Sequence, residues 1–247
     1  MSLKSTSICL LLMTLACTCY SSPVMSLVGG RQSLSIEHKA NSPFPYVDAG
    51  LIAMWDGEWN SGFGIHDPEA TVWKDLVGEH DLAIYGTVFQ NFIRNTTTSV
   101  AEAAKTIEGI KTIEVCYCFS GTQNSAYGLL FYSGVINTTR LGLVLYLDGY
   151  QTFSNVYWQY PNSRDSVLST VTATMDGCFV DGLPLSPISR NTDQWNNNSY
   201  LGIGGRAWQN TWKTYGDWYC IRLYDRVLSN NEIEFNSSVD KERFGMP

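Results

Sequence analysis

The sequence predicts an all-β protein, an antiparallel β-sandwich that ends in a short helix. Apolar or alternating runs of strand length recur along the chain, and Gly, Asn and Asp separate them. Helix signals are scarce by comparison. Hydrophobic residues make up 44% of the 247 residues and charged residues 16%, a balance that can bury a sizeable core. Because sandwiches of this size commonly remain undivided, one large domain accounts for the chain.

The first residues have the pattern of an export signal. Lys4 supplies a positive charge, and residues 8–16 form an apolar run that is too short to span a bilayer. Residues 1–20 are therefore interpreted as a signal peptide or a lipoprotein signal. The residues around Cys17 loosely match a lipoprotein box, so lipid attachment at Cys17 and a cleaved signal both remain open. We expect an exported protein, either secreted or at the cell surface.

An arm precedes the predicted folded domain. Residues 21–46 are rich in Ser, Pro and Gly and lack sustained periodicity, which is typical of a linker. The domain is predicted to cover residues 47–247. Its predicted strands are residues 51–55, 82–85, 112–119, 128–132, 141–147, 156–160, 168–175, 178–180, 200–203 and 218–224.

Local signals add turns and helices to this pattern. The pair Asp176-Gly177 is a preferred two-residue hairpin turn, and Asp181-Gly182 follows four residues later, which predicts a narrow meander. Ser229 and Glu232 have capping-box spacing, so a short helix is expected after the last strand. The Ala-rich residues 100–104 are predicted to form one helical turn.

Four stretches carry a resemblance to a known family. They are residues 50–57 with 66–68 and 71–76, residues 170–182, residues 201–206, and residues 217–229 followed by Glu232 and Ile233. Together they resemble the laminin-G-like jelly rolls of the concanavalin A-like lectin and glucanase superfamily, of the type found in bacterial exported proteins. The resemblance covers about residues 47–245 and implies a jelly-roll fold. It does not select a function, because lectins, adhesive modules and glycoside hydrolases share this scaffold.

Charge and cysteine content limit the possible partners. Lys and Arg number 16 against 23 Asp and Glu, a net charge of -7, which argues against a nucleic-acid partner. The four cysteines of the domain are Cys116, Cys118, Cys178 and Cys220. Cys116 and Cys118 share one face of a predicted strand, so they cannot easily bond each other. Buried free thiols and a bridge from one of these two to Cys220 both remain open.

Catalytic and metal signals are weak. The strand motif of laminarinase-type hydrolases, Glu-x-Asp-x-(x)-Glu, is absent from the sequence. Glu114 alternates with apolar residues and could face a groove, although a solvated carboxylate explains it equally well. No Ser-His-Asp arrangement can be defended. The resemblance implies that calcium can bind, and the oxygen donors to inspect first are Asp56, Asn60 and Asp217.

Aromatic residues in polar loops give the better functional indication, because sugar rings stack on aromatic faces while their hydroxyls bond polar side chains. The predicted platform is Trp59, Trp195, Trp208 and Trp212, with Arg206, Gln209, Asn210 and Asn196 as hydrogen-bonding neighbours. Each Trp could instead act as a lid over a sheet. The sequence therefore favours a non-catalytic module that binds a glycan or a cell-surface protein. A glycoside hydrolase and a structural adhesion domain are the alternatives.

Overall fold

The structure is a computed structural model that describes residues 44–85, 88–89, 93–95, 100–103, 107–122, 127–133, 141–146, 149–152, 156–159, 167–189, 201–205 and 214–246. Within these residues the elements are β1 (Leu51–Asp56), β2 (Val72–Trp73), β3 (Leu82–Tyr85), β4 (Val88–Phe89), β5 (Ile93–Asn95), β6 (Val100–Ala103), β7 (Thr112–Thr122), β8 (Tyr127–Ser133), β9 (Leu141–Tyr146), β10 (Gly149–Thr152), β11 (Val156–Gln159), β12 (Leu168–Thr174), β13 (Cys178–Val180), β14 (Leu183–Pro184), β15 (Pro187–Ser189), β16 (Leu201–Ile203), β17 (Thr214–Tyr224) and α1 (Asn230–Phe244).

The strands form two sheets, and every strand pair among the described residues is antiparallel. The first sheet has the order β14-β13-β12-β7-β17-β5-β4, and β1 pairs with the end of β17 that β5 leaves free. The second has the order β15-β11-β10-β9-β8-β16-β6-β3-β2. This architecture confirms the predicted antiparallel β-sandwich with a C-terminal helix.

The main hydrophobic core contains side chains from both sheets. On β7, Ile113, Val115 and Tyr117 alternate toward this core, as the period of two residues in a strand requires. Trp55 and Trp218 are also fully buried there. Burying a large apolar side chain contributes about 1.5–3 kcal/mol. The alternation seen in the sequence therefore identifies the faces of the sheet that pack together.

Helix α1 covers the opposite face of the first sheet. Ile233 of the helix packs with Tyr224 of β17 and with Val47, and all three are buried. The capping box of Ser229 and Glu232 is present, with the Ser229 backbone N–H donating to the Glu232 carboxylate at 2.8 Å. The second sheet and α1 thus cover the two faces of the first sheet.

No helix in the described ranges is long and apolar enough to cross a membrane.

Three local predictions differ from the structure. The predicted helical turn at residues 100–104 is wrong, because β6 occupies Val100–Ala103 and Ala101 is buried in the core between its strand partners Ile84 and Ile203. The first hairpin closes between Thr174 and Gly177, so its turn lies one residue earlier than predicted. The packed region extends back to Phe44, and Tyr46 within the predicted arm is fully buried.

The second Asp-Gly pair forms the turn that its sequence favours. Asp181 and Gly182 have φ values of 53° and 83°, and Val180 pairs with Leu183 across them. Positive φ at both central residues is the signature of the hairpin turn that matches strand twist. Helix α1 lies beside this turn, since a Cβ added to Gly182 would be 3.2 Å from the Glu234 Cα.

Candidate functional site

An exposed apolar surface lies beside the end of the helix. It consists of Phe44, Trp59, Phe63 and Ile65, and is called the Phe63 patch below. The Phe63 ring is 47% exposed and Ile65 is 57% exposed. Phe63 packs against Trp59 with ring centroids 4.7 Å apart and edge-on to Phe44 at 5.5 Å. The patch therefore presents one open aromatic ring supported by two others.

Hydrogen bonds within the loop hold Phe63 outward. The Asn60 amide donates to the Asp67 backbone carbonyl at 2.6 Å and accepts from the Asp67 backbone N–H at 2.8 Å, which closes the base of the loop. At its tip, the backbone N–H of Ile65 donates to the Gly62 carbonyl at 2.9 Å. Gly62 and Gly64 have φ values of 142° and 72°, a region that favours glycine. The glycines on both sides of Phe63 allow the turn that exposes its ring.

Arg243 near the C-terminal end of α1 connects the helix to this patch. Its guanidinium lies 4.2 Å from the centre of the Trp59 ring and donates to Asp56 at 2.7 Å and to Glu58 at 2.9 Å. Stacking of Arg on an aromatic face is a favourable cation–π contact. Arg243 thus fixes Trp59 from one side while Phe63 packs on its ring, so Trp59 supports the patch and Phe63 presents the open face.

A charged cluster is buried between the first sheet and α1. Arg222 of β17 donates to Glu114 of β7 at 2.8 Å and to both carboxylate oxygens of Asp240 on the helix at 2.6 and 2.7 Å. All three side chains are inaccessible to solvent. Burial raises the pKa of Glu114, and the Arg222 guanidinium opposes this rise. The helix fills the space in which Glu114 could have faced a groove.

Two of the three predicted calcium ligands, Asp56 and Asn60, are engaged in other ways. One Asp56 oxygen accepts from the backbone N–H groups of Glu58 and Trp59, and the other accepts from the Arg243 guanidinium. The Asn60 side-chain amide donates to the Asp67 backbone carbonyl and accepts from the Asp67 backbone N–H. Asp217 of β17 is half-buried and lies opposite Cys118 of the neighbouring strand β7. No group of three or more His, Cys, Asp or Glu in the described part of the chain could hold a metal ion.

Asp56 and Asn60 therefore do not fit a calcium site, because their oxygens face N–H donors and a cation already occupies the position beside Asp56. Calcium binding by other residues of the chain stays a prediction.

Most of the predicted platform lies outside the described residues. This applies to Trp195, Asn196, Arg206, Trp208, Gln209, Asn210 and Trp212, and also to Cys17. Their roles stay predictions. Trp59 is the predicted platform residue whose position the structure gives, and it is half-buried under Arg243.

Sequence reasoning missed the exposed members of the patch. Phe63 and Ile65 stand in Gly62-Phe63-Gly64-Ile65, a loop where two glycines flank an aromatic residue. That spacing was the available signal, since an apolar residue between turn glycines has no strand or helix face on which to be buried.

No protein-family model matches the sequence, and no curated protein matches it. Solved structures do show similarity. The sialidase of Trypanosoma rangeli in complex with sialic acid superposes with a TM-score of 0.56 at 17% identity, over 77% of this chain and 33% of that chain. The same enzyme in complex with the inhibitor DANA gives a TM-score of 0.54, also at 17% identity, over 76% of this chain and 33% of that chain. The chain thus spans about a third of these sialidases.

Domain 4 of an extracellular arabinanase from Geobacillus stearothermophilus, in complex with arabinotriose, matches with a TM-score of 0.48 at 10% identity. That match covers 76% of this chain and 98% of that domain. The likeness to the sialidases defines this chain as a β-sandwich of a kind that also occurs in glycan-processing enzymes. At this level of identity it shows the fold alone.

Proposed function

We propose that this protein is an exported, non-catalytic module that binds neutral glycans at the Phe63 patch. The observation that carries the proposal is the exposed Phe63 ring, which rests on Trp59 in a loop closed by its own hydrogen bonds. Sugar-binding sites present such rings to the apolar faces of pyranose or furanose units. Because the rings are already in place, little ordering is needed when a ligand binds.

The charge around the patch favours neutral sugars over acidic ones. Residues 57–81 contain six acidic side chains against one lysine, namely Glu58, Asp67, Glu69, Asp75, Glu79 and Asp81 against Lys74. Arg243 is a cation beside the patch, and its guanidinium already bonds Asp56 and Glu58. A sialylated or uronic-acid glycan would meet unfavourable potential here. The structurally similar sialidase was solved with sialic acid, and the proposal does not extend that ligand to this chain.

A glycoside hydrolase is the weaker alternative. A retaining or inverting enzyme needs two carboxyl groups that flank one bound sugar. Among the described residues, Asp56, Glu114 and Asp240 are carboxylates that are fully buried and bonded to arginine. They cannot reach a substrate in this arrangement.

Structural adhesion is the second candidate function, and one feature favours it. Strand β14 is at the end of the first sheet, and Leu183 on it is 70% exposed. An open edge strand can pair with another chain. Pro184 on the same strand lacks a backbone donor and limits such pairing.

The finer family assignment and the location belong to the same proposal. We propose that the scaffold is a laminin-G-like jelly roll, on the basis of the sequence resemblance over residues 47–245. Export by the N-terminal signal, with or without a lipid at Cys17, would place the module where it meets glycans or cell-surface proteins. Trp195, Trp208 and Trp212 are proposed as a second aromatic surface, and calcium is proposed as a cofactor of the loops.

A glycan array tests the proposal. The purified protein is applied with and without calcium, alongside Phe63→Ala, a Trp208→Ala and Trp212→Ala double variant, and Tyr85→Ala as a matched control. Tyr85 is 52% exposed, close to the value for Phe63. We expect saturable binding to neutral glycans that falls at least about tenfold in Phe63→Ala, the effect of about 1.4 kcal/mol, and is unchanged in Tyr85→Ala.

The outcomes separate the alternatives. Loss of glycan binding in the Trp208→Ala and Trp212→Ala double variant, with binding kept in Phe63→Ala, would assign the site to the second aromatic surface. Absence of any glycan binding by the wild-type protein would contradict the proposal and favour adhesion. Release of shorter sugars from a bound glycan would identify a hydrolase.

A further inference from the structure

We propose that Cys116 of β7 and Cys220 of β17 become joined by a disulfide bond when the chain folds in an oxidising compartment. Both are free thiols in this structure. The two residues are direct register partners across adjacent antiparallel strands. Such partners have Cα atoms about 4.5–5.5 Å apart, which lies inside the range of about 4.4–6.8 Å that a disulfide requires.

The two side chains also point to the same side of the sheet. Both are fully buried in one cluster beneath α1, together with Tyr46, Met54 and Met246. A bulge at Tyr219 produces this alignment, since Trp218 pairs with Tyr117 and Cys220 then pairs with Cys116. With no bulge, the period of two would place Cys220 on the same face as Trp218, in the core between the sheets.

The other two cysteines are placed elsewhere. Cys118 lies opposite Asp217 on one neighbouring strand and Leu168 on the other. Cys178 belongs to the core between the two sheets and is the partner of Ala173. Among the cysteines that the structure describes, register therefore selects Cys116 over Cys118 as the partner of Cys220.

The bond forms by thiol–disulfide exchange and needs a disulfide oxidant, either small, such as oxidised glutathione, or carried by a protein. One cysteine thiolate attacks the oxidant and releases one thiol. The second cysteine thiolate then attacks the mixed disulfide and releases the other thiol. Overall, the S–S bond of the oxidant breaks and the S–S bond between the two cysteines forms, and the two protons and two electrons that the cysteines lose reduce the oxidant to two thiols.

The timing follows from burial. In the folded protein, burial raises the pKa of both thiols, and Met246 lies 3.9 Å from the Cys116 sulfur. Neither thiol can then meet an oxidant or ionise readily. The exchange therefore takes place before α1 covers β7 and β17, and the finished bond is shielded from reductants.

Oxidative refolding of the full chain tests the proposal. The reduced, unfolded protein is diluted into a buffer of reduced and oxidised glutathione and quenched with acid. Free thiols are alkylated in denaturant without reductant, and the digested peptides are mapped with fragment spectra that distinguish Cys116 from Cys118. We expect a peptide pair linked through Cys116 and Cys220, two hydrogen atoms lighter than its parts, with Cys118 and Cys178 alkylated.

Variants sharpen the result. Cys118→Ala should keep the linked pair and Cys116→Ala should lose it. Alkylation of both Cys116 and Cys220 in refolded wild-type protein would overturn the proposal, and so would a bond from Cys220 to any other cysteine. The wild-type map decides the question even where Cys116→Ala does not fold. Neither result depends on glycan binding.

Discussion

Arg222 is the residue on which the sheet-to-helix contact depends. Its guanidinium bonds Glu114 of the neighbouring strand and Asp240 of the helix, and it also lies 3.9 Å from the centre of the Tyr46 ring. Asn236 of the helix donates to Glu114 at 2.8 Å and the Thr172 hydroxyl of β12 donates to it at 3.1 Å, so the carboxylate has partners from three elements. Such a pair adds little net stability when complete, but the loss of one member leaves a buried charge unpaired.

Replacing Arg222 with methionine should therefore destabilise the protein strongly. We expect Arg222→Met to lose about 3–5 kcal/mol of unfolding free energy, because two buried carboxylates lose their cation. Urea denaturation measures this, with Arg226→Met as the control, since the Arg226 side chain is 32% exposed. The deficit should narrow in acid, because burial raises the pKa of Glu114 and acid neutralises this carboxylate. Equal losses in the two variants would show that the buried cluster has no special role.

Glu114 illustrates how far a strand pattern can be interpreted. Its alternation with Ile113 and Val115 correctly placed it on the face away from the main core. The pattern could not reveal that helix α1 covers that face, because Asp240 is far from Glu114 along the chain. The fold brings the two residues to the same arginine, Arg222. Alternation gives the direction of a side chain and not what lies in front of it.

At the scale of single elements, helix α1 is defined by both of its ends. Glu232 accepts from the Ser229 backbone and from both terminal nitrogens of Arg226, at 2.7 and 3.0 Å. Gly245 ends the helix in the left-handed conformation, with φ 65° and ψ 36°. These local signals are in the sequence, so the start of the helix was predictable from Ser229 and Glu232.

The charge of Glu232 should make this helix start sensitive to acid. The bond from Arg226 lowers the pKa of Glu232 to about 2 from 4.5. A carboxyl group with a depressed folded pKa contributes stability that is complete above its unfolded pKa and is lost between pH 4.5 and pH 2. Glu232→Gln should thus cost about 0.2–1 kcal/mol at pH 7, and the difference from wild type should shrink toward pH 2.

Urea denaturation at several pH values checks this prediction. Gln keeps the capping geometry, so it isolates the charge. A difference between the two proteins that is constant from pH 7 to pH 2 would contradict the assignment to Glu232.

Every strand of six or more residues was predictable from the sequence, whereas only some of the three- and four-residue strands were. The ten predicted strands all coincide with observed strands within a few residues, whereas the two-residue strands β2, β4 and β14 are too short for alternation to register. Residues 100–104 show the opposite failure. Alanine favours helix locally, yet β6 forms because it pairs with β3 on one side and with β16 on the other, which buries Ala101 in the core.

At the scale of the whole molecule, the residues just ahead of β1 are part of the packed structure, because they are buried on the face of the first sheet that α1 covers. Tyr46 is fully buried, donates its hydroxyl hydrogen to Asp240 at 2.8 Å and accepts from Arg243 at 2.8 Å. The Val47 backbone N–H donates to Asn236 at 2.9 Å. The residues just before the domain boundary that the sequence predicts are thus part of the sandwich.

We therefore expect Tyr46→Ala to cost about 3–5 kcal/mol of unfolding free energy, the usual effect of deleting a buried aromatic ring. Thermal and urea unfolding of the full chain would measure it. Phe44→Ala is the comparison, because Phe44 is only half-buried and should cost clearly less. A Tyr46→Ala variant as stable as wild type would mean that the segment is a linker, as its composition predicts.

The candidate site was predictable only in part. Trp59 was identified because it stands in a polar loop, but its support by Arg243 joins residues from opposite ends of the domain. Phe63 was not predicted, because the signal used for the platform was a tryptophan in a polar loop, whereas Phe63 is a phenylalanine between two glycines. Local sequence indicated an aromatic loop, and the fold decided which ring is open.

The most direct test of neutral glycan binding at the Phe63 patch is nitrogen-15 NMR of the tryptophan indoles. The eight indole signals are assigned by Trp→Phe variants and followed while the best neutral glycan from the array is titrated. We predict that the Trp59 signal shifts with saturation, while the signals of Trp55, Trp73 and Trp218, which are fully buried, do not change. Saturable shifts at Trp195, Trp208 or Trp212 with none at Trp59 would contradict it.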